Sequence, residues 1–147
     1  EKFNLIFKFF FLLFWLDLDA QTNEIVNFNS GDLPLNGTFS IPSAEGPFPV
    51  VILIHGSGPS DRDQTVTLTG GNAQCLYPSL YNQTIKNFKD LAEQLQAHGI
   101  AVLRYDKRSF THGSTLNLQT ITPYDFVDDA SASVDYVKTR SDVDTNR

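Results

Sequence analysis

The sequence has few of the features that mark disulfide-linked, nucleic-acid-binding or repetitive proteins. Cys75 is its only cysteine in 147 residues, so no disulfide forms within this chain. Lysine and arginine together number 11 against 17 acidic residues, and they are scattered along the sequence. Because nucleic-acid phosphates call for a clustered basic face, we predict no nucleic-acid partner. No internal repeat, heptad run or interdomain linker is visible.

Methionine is absent, and the chain runs from Glu1 to Arg147, where it stops directly after a helical pattern. We therefore expect a piece of a longer protein, cut at both ends. Its 41% hydrophobic residues are enough for a packed core and argue against disorder. A different interpretation takes the 147 residues as the whole protein, whose sheet would then lack later strands and expose an aggregation-prone edge.

The first 20 residues have the three-part build of a secretory signal peptide. Lys2 and Lys8 come early, a run rich in phenylalanine and leucine follows, and Ala20 offers a small residue for cleavage. The apolar run is shorter than the roughly 20 residues of a membrane span, which disfavours the alternative of a membrane anchor. We predict a signal peptide at residues 1–20, a secreted or periplasmic protein with no stable membrane span after cleavage, and one domain over residues 21–147.

Hydrophobic patterning predicts an α/β fold. Residues 24–29 and 33–41 alternate apolar and polar side chains, which is typical of an antiparallel edge hairpin. Residues 50–54 and 100–105 are almost continuously apolar, as in central strands covered on both faces. A helix between them makes these two strands parallel neighbours. After residues 141–147 the alternation predicts one more parallel strand.

Two helices are predicted by apolar residues at helical spacing. The first has Gly99 as its C-cap, and its apolar residues are Ile85, Phe88, Leu91, Ala92 and Leu95. The second begins at Thr122, with Pro123 in the first turn and Asp125 at the capping-box position. Its predicted apolar stripe is Phe126 or Val127, Ala130, Val134 and Val137.

The strand at residues 50–54 ends abruptly in His55, Gly56, Ser57 and Gly58. Ligands of open α/β sheets bind at the carboxyl ends of strands, and glycine lets the backbone turn sharply beside a ligand. Such a turn can aim the Ser57 N–H at an oxygen that gains negative charge during acyl transfer. The other interpretation is a structural turn in which His55 only hydrogen-bonds nearby backbone.

Charged residues follow both predicted parallel strands, namely Asp61 and Arg62 after the first and Asp106 and Arg108 after the second. They are expected at the same rim of the sheet. One hypothesis is an ion-pair network that fixes the loops, for example Arg108 or Arg62 against Asp106 or Asp61. The other is an arginine that holds a substrate carboxylate in a bidentate contact.

Two further histidines carry weaker signals. His98 is expected at the carboxyl end of the first helix, where a cation is favourable. His112 lies in a polar loop without partners at metal-ligand spacing, so we predict no metal site.

Several blocks together resemble the N-terminal half of an α/β-hydrolase. They are residues 55–63 (HGSGPSDRD), 88–92 (FKDLA), 99–108 (GIAVLRYDKR) and 142–144 (DVD), in the family's order over about residues 33–147. They are similar to secreted or periplasmic bacterial esterase-like hydrolases that carry HGSGPxDRD and a later YDKR. The resemblance implies that the Ser57 N–H is one oxyanion-hole donor and that the second donor follows the nucleophile.

No G-x-S-x-G nucleophile elbow occurs in the 147 residues, and Ser57 itself does not lie in one. The resemblance implies that the elbow follows Arg147 across one short strand, with the acid and the histidine further on. We therefore expect this chain alone to lack the catalytic triad and to be inactive. A long loop at residues 64–82, which contains Cys75, either shapes substrate entry or is a tolerated surface insertion.

These observations predict part of a serine hydrolase that cleaves a small-molecule ester, less readily an amide, through an acyl-enzyme and without a cofactor. The alternatives are a non-catalytic binding protein on the same scaffold and a peptidase or amidase of the same fold. The sequence leaves the oligomeric state open. Residues 36–38 and 82–84 match the glycosylation sequon.

Overall fold

The computed structural model describes residues 21–117 and 119–147, so the predicted signal peptide lies outside the described residues. In chain order the elements are β1 (Thr22–Ser30), β2 (Leu33–Ile41), β3 (Val50–Leu53), β4 (Thr65–Thr67), α1 (Gly70–Leu76), β5 (Thr84–Lys86), α2 (Asn87–Ala97), β6 (Ala101–Tyr105), the single turn α3 (Arg108–Thr111) and α4 (Pro123–Lys138). A 3₁₀ turn spans Pro78–Leu80. No helix in the described ranges is long and apolar enough to cross a membrane.

The main sheet has four strands in the order β1-β2-β6-β3. β1 and β2 form the predicted antiparallel edge hairpin, whose turn uses Gly31 at φ +60. β2 runs antiparallel to β6, and β6 runs parallel to β3. The structure thus confirms the α/β class and the parallel pair that the sequence predicts.

The two parallel strands are covered to different extents. Every residue of β6 is buried, whereas β3 is buried only at Leu53 and Ile54 is 54% exposed. The expectation of a central strand covered on both faces was therefore confirmed for β6 and wrong for β3, which ends the four-strand order. The core on one face of the sheet consists of Val26, Phe28, Leu35, Phe39, Phe48, Ala101, Leu103, Tyr105, Val137 and Val143.

Residues 142–147 run beside β3, on the side opposite to β6. The Phe48 N–H donates to Asp142 O at 2.8 Å, and the Asp144 N–H donates to Phe48 O at 2.7 Å. Phe48 and Val143 form an isolated parallel bridge. The polar segment that was expected to link to a further strand is therefore itself the first step of a parallel neighbour of β3.

Helix α2 packs on the second face of the sheet, where Ala92 and Gln96 are buried. Ile85 lies in β5 instead of the helix, and Leu91 is 45% exposed, so the predicted start and apolar stripe were partly wrong. The unpredicted burial of Gln96 has a clear cause, because its Nε2 donates to Thr22 O and Ile41 O. Gly99 takes φ +78 just after the helix, which only glycine adopts readily.

Helix α4 begins as predicted, with a capping box between Thr122 and Asp125. The predicted apolar stripe was partly wrong: Val137 is buried as predicted, but Val127 is 61% and Val134 38% exposed. The buried residues of α4 are Asp129, Ser133 and Val137. Hydrophobic periodicity missed Asp129 and Ser133 on this face because neither is apolar, and Asp129 is held inside by an ion pair with Arg108.

Residues 64–86, named here the excursion, leave the sheet between β3 and α2. Strands β4 and β5 pair antiparallel, with α1 and the 3₁₀ turn between them. The sequence predicted a long loop at residues 64–82, and the structure corrects this to a small hairpin with helical turns.

Candidate functional site

The site lies at the carboxyl edge of the main sheet. Because β3 and β6 are parallel neighbours, the segments that follow them meet at this edge. Residues 55–58, named here the glycine turn, follow β3, and residues 106–108 follow β6. An open cavity of about 690 Å³ lies between them and the start of α4. Its lining is His55, Gly56, Ser57, Gly58, Pro59, Lys107, Ser109, Ile121, Thr122, Pro123 and Phe126.

The Ser57 N–H is available at the wall of this cavity. Ser57 is exposed, and no residue in the described part of the chain accepts a hydrogen bond from its N–H. Gly58 has φ +81, a left-handed conformation that a residue with a Cβ adopts only under strain. A backbone donor at the carboxyl end of a parallel strand suits the stabilisation of a developing oxyanion.

The His55 side chain holds the glycine turn through contacts with β6 and α2. Its Nε2 lies 2.8 Å from Tyr105 O, and since a carbonyl oxygen only accepts, Nε2 carries the proton. The ring stacks on Phe88 with centroids 4.7 Å apart. Burial lowers the pKa of His55, so the imidazole is neutral at pH 7, and its buried Nδ1 has no partner among the described residues.

Arg62 and Asp106 join the two loops of the rim. The Arg62 guanidinium donates to both Asp106 carboxylate oxygens, with Nη2 at 2.6 Å from Oδ2, and Nη1 reaches Gly37 O at 2.6 Å. The Arg62 backbone N–H also donates to Asp106 Oδ1 at 2.7 Å. The two N–H groups with which Arg62 could hold a substrate carboxylate are therefore bound to Asp106. This favours the hypothesis of an ion pair that fixes the loops.

Arg108 pairs with helix α4, not with Asp106 or Asp61. Its Nε and Nη2 donate to the two oxygens of Asp129 at 2.8 and 2.6 Å, and Nη1 donates to Asp125 at 2.8 Å. The Asp129 side chain is 2% exposed and the Arg108 side chain 10%. The pair anchors the start of α4, and with it one wall of the cavity, to the end of β6.

Asp61 serves the excursion and not the rim. Its carboxylate accepts from the Thr65 N–H at 2.8 Å and from the Thr65 hydroxyl at 2.7 Å. The neighbouring Asp63 pairs with Arg104 at 2.6 Å and with Lys86 at 3.1 Å. The acidic residues of the HGSGPSDRD block therefore hold backbone and cations of this chain.

Lys107 is the site residue that the sequence reasoning missed. Its Nζ donates to Gly56 O at 2.6 Å and to Gly58 O at 3.0 Å, and it lies 4.4 Å from the Phe126 ring centroid. The sequence feature that indicates a role for Lys107 is its position between Asp106 and Arg108, directly after a strand that is fully buried. The three consecutive residues thus contact three different elements: Asp106 the loop after the glycine turn, Lys107 the turn itself, and Arg108 helix α4.

The remaining candidates lie away from the cavity. His98 caps α2, with Nδ1 2.7 Å from Gln94 O, and His112 Nε2 lies 2.8 Å from Pro34 O. Within residues 21–117 and 119–147 no group of histidine, cysteine or acidic side chains could hold a metal ion. None of the residues that line the cavity comes from the excursion.

Comparison with known proteins gives one close sequence relationship. The chain is 38% identical to Esterase EstD of Thermotoga maritima over 120 residues, which is 80% of this chain and 25% of that protein. The chain thus spans about a quarter of the length of this relative. No protein-family model matches the chain. Among solved structures, Glucuronoyl Esterase from Solibacter usitatus aligns with a TM-score of 0.46 and 16% identity, over 84% of this chain and 39% of that one.

A match of 120 residues within a chain of 147 must include the glycine turn and residues 106–108. The chain is therefore similar in sequence to an esterase over the glycine turn and over residues 106–108.

Proposed function

We propose that this chain is the N-terminal part of a serine α/β-hydrolase domain that cleaves carboxylic esters through an acyl-enzyme. The observation that carries the proposal is the unpartnered Ser57 N–H, which a glycine turn holds at the carboxyl edge of a parallel strand pair. The similarity to an esterase over the same segments supports it. In this mechanism the Ser57 N–H stabilises the oxyanion of the tetrahedral intermediate. Water is the second substrate.

The nucleophile belongs, in this proposal, to a G-x-S-x-G elbow beyond Arg147. The hydrogen bonds of residues 142–147 to Phe48 and Val50 support this placement, because they begin a parallel strand on the free side of β3. The carboxyl end of such a strand comes out at the same edge as the glycine turn. An elbow there lies next to the glycine turn, on the side of β3 away from β6. The 147 residues by themselves are then inactive.

The substrate is a small-molecule ester that fits an open cavity of about 690 Å³. One wall of this cavity is formed by Phe126, Ile121 and Pro123, which suits an apolar acyl or alcohol group. We further propose export, with cleavage after Ala20, on the pattern of charged, apolar and small residues in the leader.

The test uses the full-length protein and the hydrolysis of p-nitrophenyl acetate. Ser57→Pro removes the N–H and is expected to lower kcat by about 10²- to 10³-fold with KM little changed, the loss found for one oxyanion donor. Ser57→Ala keeps the N–H and serves as the matched control, with kcat within about threefold of the parent. Thermal melting of both variants reports whether the turn still folds.

Two outcomes contradict the proposal at different points. Full activity in Ser57→Pro would exclude the Ser57 N–H as a donor while leaving the esterase intact. A full-length protein that hydrolyses no ester and lacks a serine in the downstream elbow would leave a binding protein on this scaffold.

A further inference from the structure

Lys107 is buried beside the glycine turn without a carboxylate partner. The residue is 8% exposed, and no salt bridge to it occurs in the part of the chain that the structure describes. Its Nζ donates instead to two backbone carbonyls, Gly56 O and Gly58 O. Burial lowers the pKa of its ammonium, which shows that enclosing this charge is unfavourable. A buried cation whose hydrogen bonds go to the turn, with the Phe126 ring 4.4 Å away as its other neighbour, calls for a functional explanation.

The first of these two carbonyls belongs to the same peptide unit as the Ser57 N–H. In a trans peptide the C=O and the N–H lie in one plane and point in opposite directions. The Gly56–Ser57 peptide is trans. A hydrogen bond that fixes Gly56 O toward Lys107 therefore also fixes the direction of the Ser57 N–H, away from Lys107.

The same contact strengthens the donor. A cation on the carbonyl oxygen polarises the amide, and hydrogen bonds in such chains reinforce one another. The second carbonyl, Gly58 O, precedes Pro59, whose nitrogen carries no hydrogen, so this contact only holds the turn. The flanking pairs of Asp106 with Arg62 and of Arg108 with Asp129 fix the backbone on both sides of Lys107.

We infer that Lys107 is the positioning residue of the oxyanion hole, whose ammonium orients and polarises the Gly56–Ser57 peptide so that the Ser57 N–H faces the reacting carbonyl. The inference rests on the proposed function, since it names the device that prepares the proposed donor. Lys107 acts through the peptide and needs no contact with substrate.

The kinetic test replaces the ammonium in the full-length enzyme. Lys107→Met keeps the aliphatic length and is expected to lower kcat for p-nitrophenyl acetate by about 10- to 100-fold with KM within about twofold, as a misplaced catalytic group does. Lys107→Arg restores the charge and is expected to recover part of kcat. Lys138→Met, at an exposed lysine at the end of α4, is the matched control and keeps the parent's kcat. Parent-like kcat in Lys107→Met would overturn the inference.

A second measurement, by NMR, does not depend on enzyme activity and therefore also serves if Lys107→Met lowers stability. Carbonyl-¹³C glycine combined with ¹⁵N serine selects Gly-Ser peptides in NMR spectra, and these 147 residues contain two, Gly56–Ser57 and Gly113–Ser114. Lys107→Met is expected to shift the Gly56–Ser57 signal strongly and the Gly113–Ser114 signal little. An unmoved Gly56–Ser57 signal would overturn the inference even if activity falls. If the Gly56–Ser57 signal shifts but the parent protein has no esterase activity, the role of Lys107 in orienting this peptide stands and the proposed function is rejected.

Discussion

The rim of the cavity and the excursion both contain polar residues but hold them in opposite ways. At the rim, Asp106, Lys107 and Arg108 are buried, and each is hydrogen-bonded to a different element. In the excursion no residue between 64 and 86 is buried, and Leu76 is 69% exposed. The rim, whose loops are held in a fixed geometry, buries its charged side chains. The excursion leaves even an apolar side chain such as Leu76 exposed to solvent.

This difference has a physical reason. Burying a charge costs several kcal/mol unless good hydrogen bonds replace its water, so buried charges persist only within complete networks. The rim has such networks, and they fix loops that follow adjacent strands. The excursion depends on a short hairpin and a carboxylate at its base, so we expect it to open locally at a low free-energy cost.

The largest effect is expected at the rim, for Asp129→Ala. This change leaves the Arg108 guanidinium buried with Asp125 as the remaining carboxylate partner among the described residues and with Ser30 Oγ at 3.3 Å, and we expect a loss of roughly 3–5 kcal/mol in the free energy of unfolding. Urea unfolding of the full-length protein measures it. The control is Asp135→Ala, an exposed aspartate on the same helix, which should change stability by less than about 0.5 kcal/mol. Equal effects of the two changes on the free energy of unfolding would show that the Arg108–Asp129 pair does not stabilise the fold.

A smaller, pH-dependent effect is expected at the base of the excursion. Burial alone raises the pKa of Asp61, but hydrogen bonds from Thr65 outweigh it, and the pKa lies below its ordinary value. A carboxyl whose pKa is lowered by folding stabilises the fold above its unfolded pKa of about 3.9 and loses this effect as the pH falls through the folded pKa. The Asp61 contribution is therefore complete at pH 7 and lost in acid.

Hydrogen exchange of the Thr65 amide measures this contribution. Its protection factor is expected to fall between about pH 4 and the lower folded pKa of Asp61, and in Asp61→Asn it is expected to be lower at pH 7 and flat in acid. The control is the rim amide of Lys107, which donates to the backbone carbonyl of Ser60 and should keep its protection over the same range. A flat profile in the parent protein would contradict the role of Asp61.

The smallest effect is expected inside the excursion, for Cys75→Ser. Cys75 is an exposed free thiol in α1, so the change should alter the free energy of unfolding by less than about 0.5 kcal/mol. Reaction of the native protein with a thiol reagent such as Ellman's reagent should be rapid and complete. A slow reaction, or a destabilisation above about 1 kcal/mol, would show that the excursion is packed against something that covers α1.

Local patterns, together with the rule that a helix between two strands makes them parallel neighbours, predicted several elements of the fold. The hairpin, the parallel pair, the capping box at Thr122 and Asp125 and the turn at Gly99 all followed from alternation, apolar runs and cap chemistry. The inward face of α4 did not, because Asp129 is buried by Arg108 from a distant segment. Ile85 was assigned to α2 because its spacing fits a helix. In the structure it lies in β5 and pairs with Val66 of β4.

The sequence by itself determined that a glycine turn follows an apolar strand and that charged residues follow the next one. Both are properties of consecutive residues, governed by backbone freedom and hydrophobic patterning. Only the tertiary structure decided which charge meets which partner: Arg62 takes Asp106, Arg108 takes Asp129, and Lys107 takes the carbonyls of Gly56 and Gly58. These contacts join residues more than 20 positions apart, and they depend on how strands and helices pack, which no short stretch of sequence encodes.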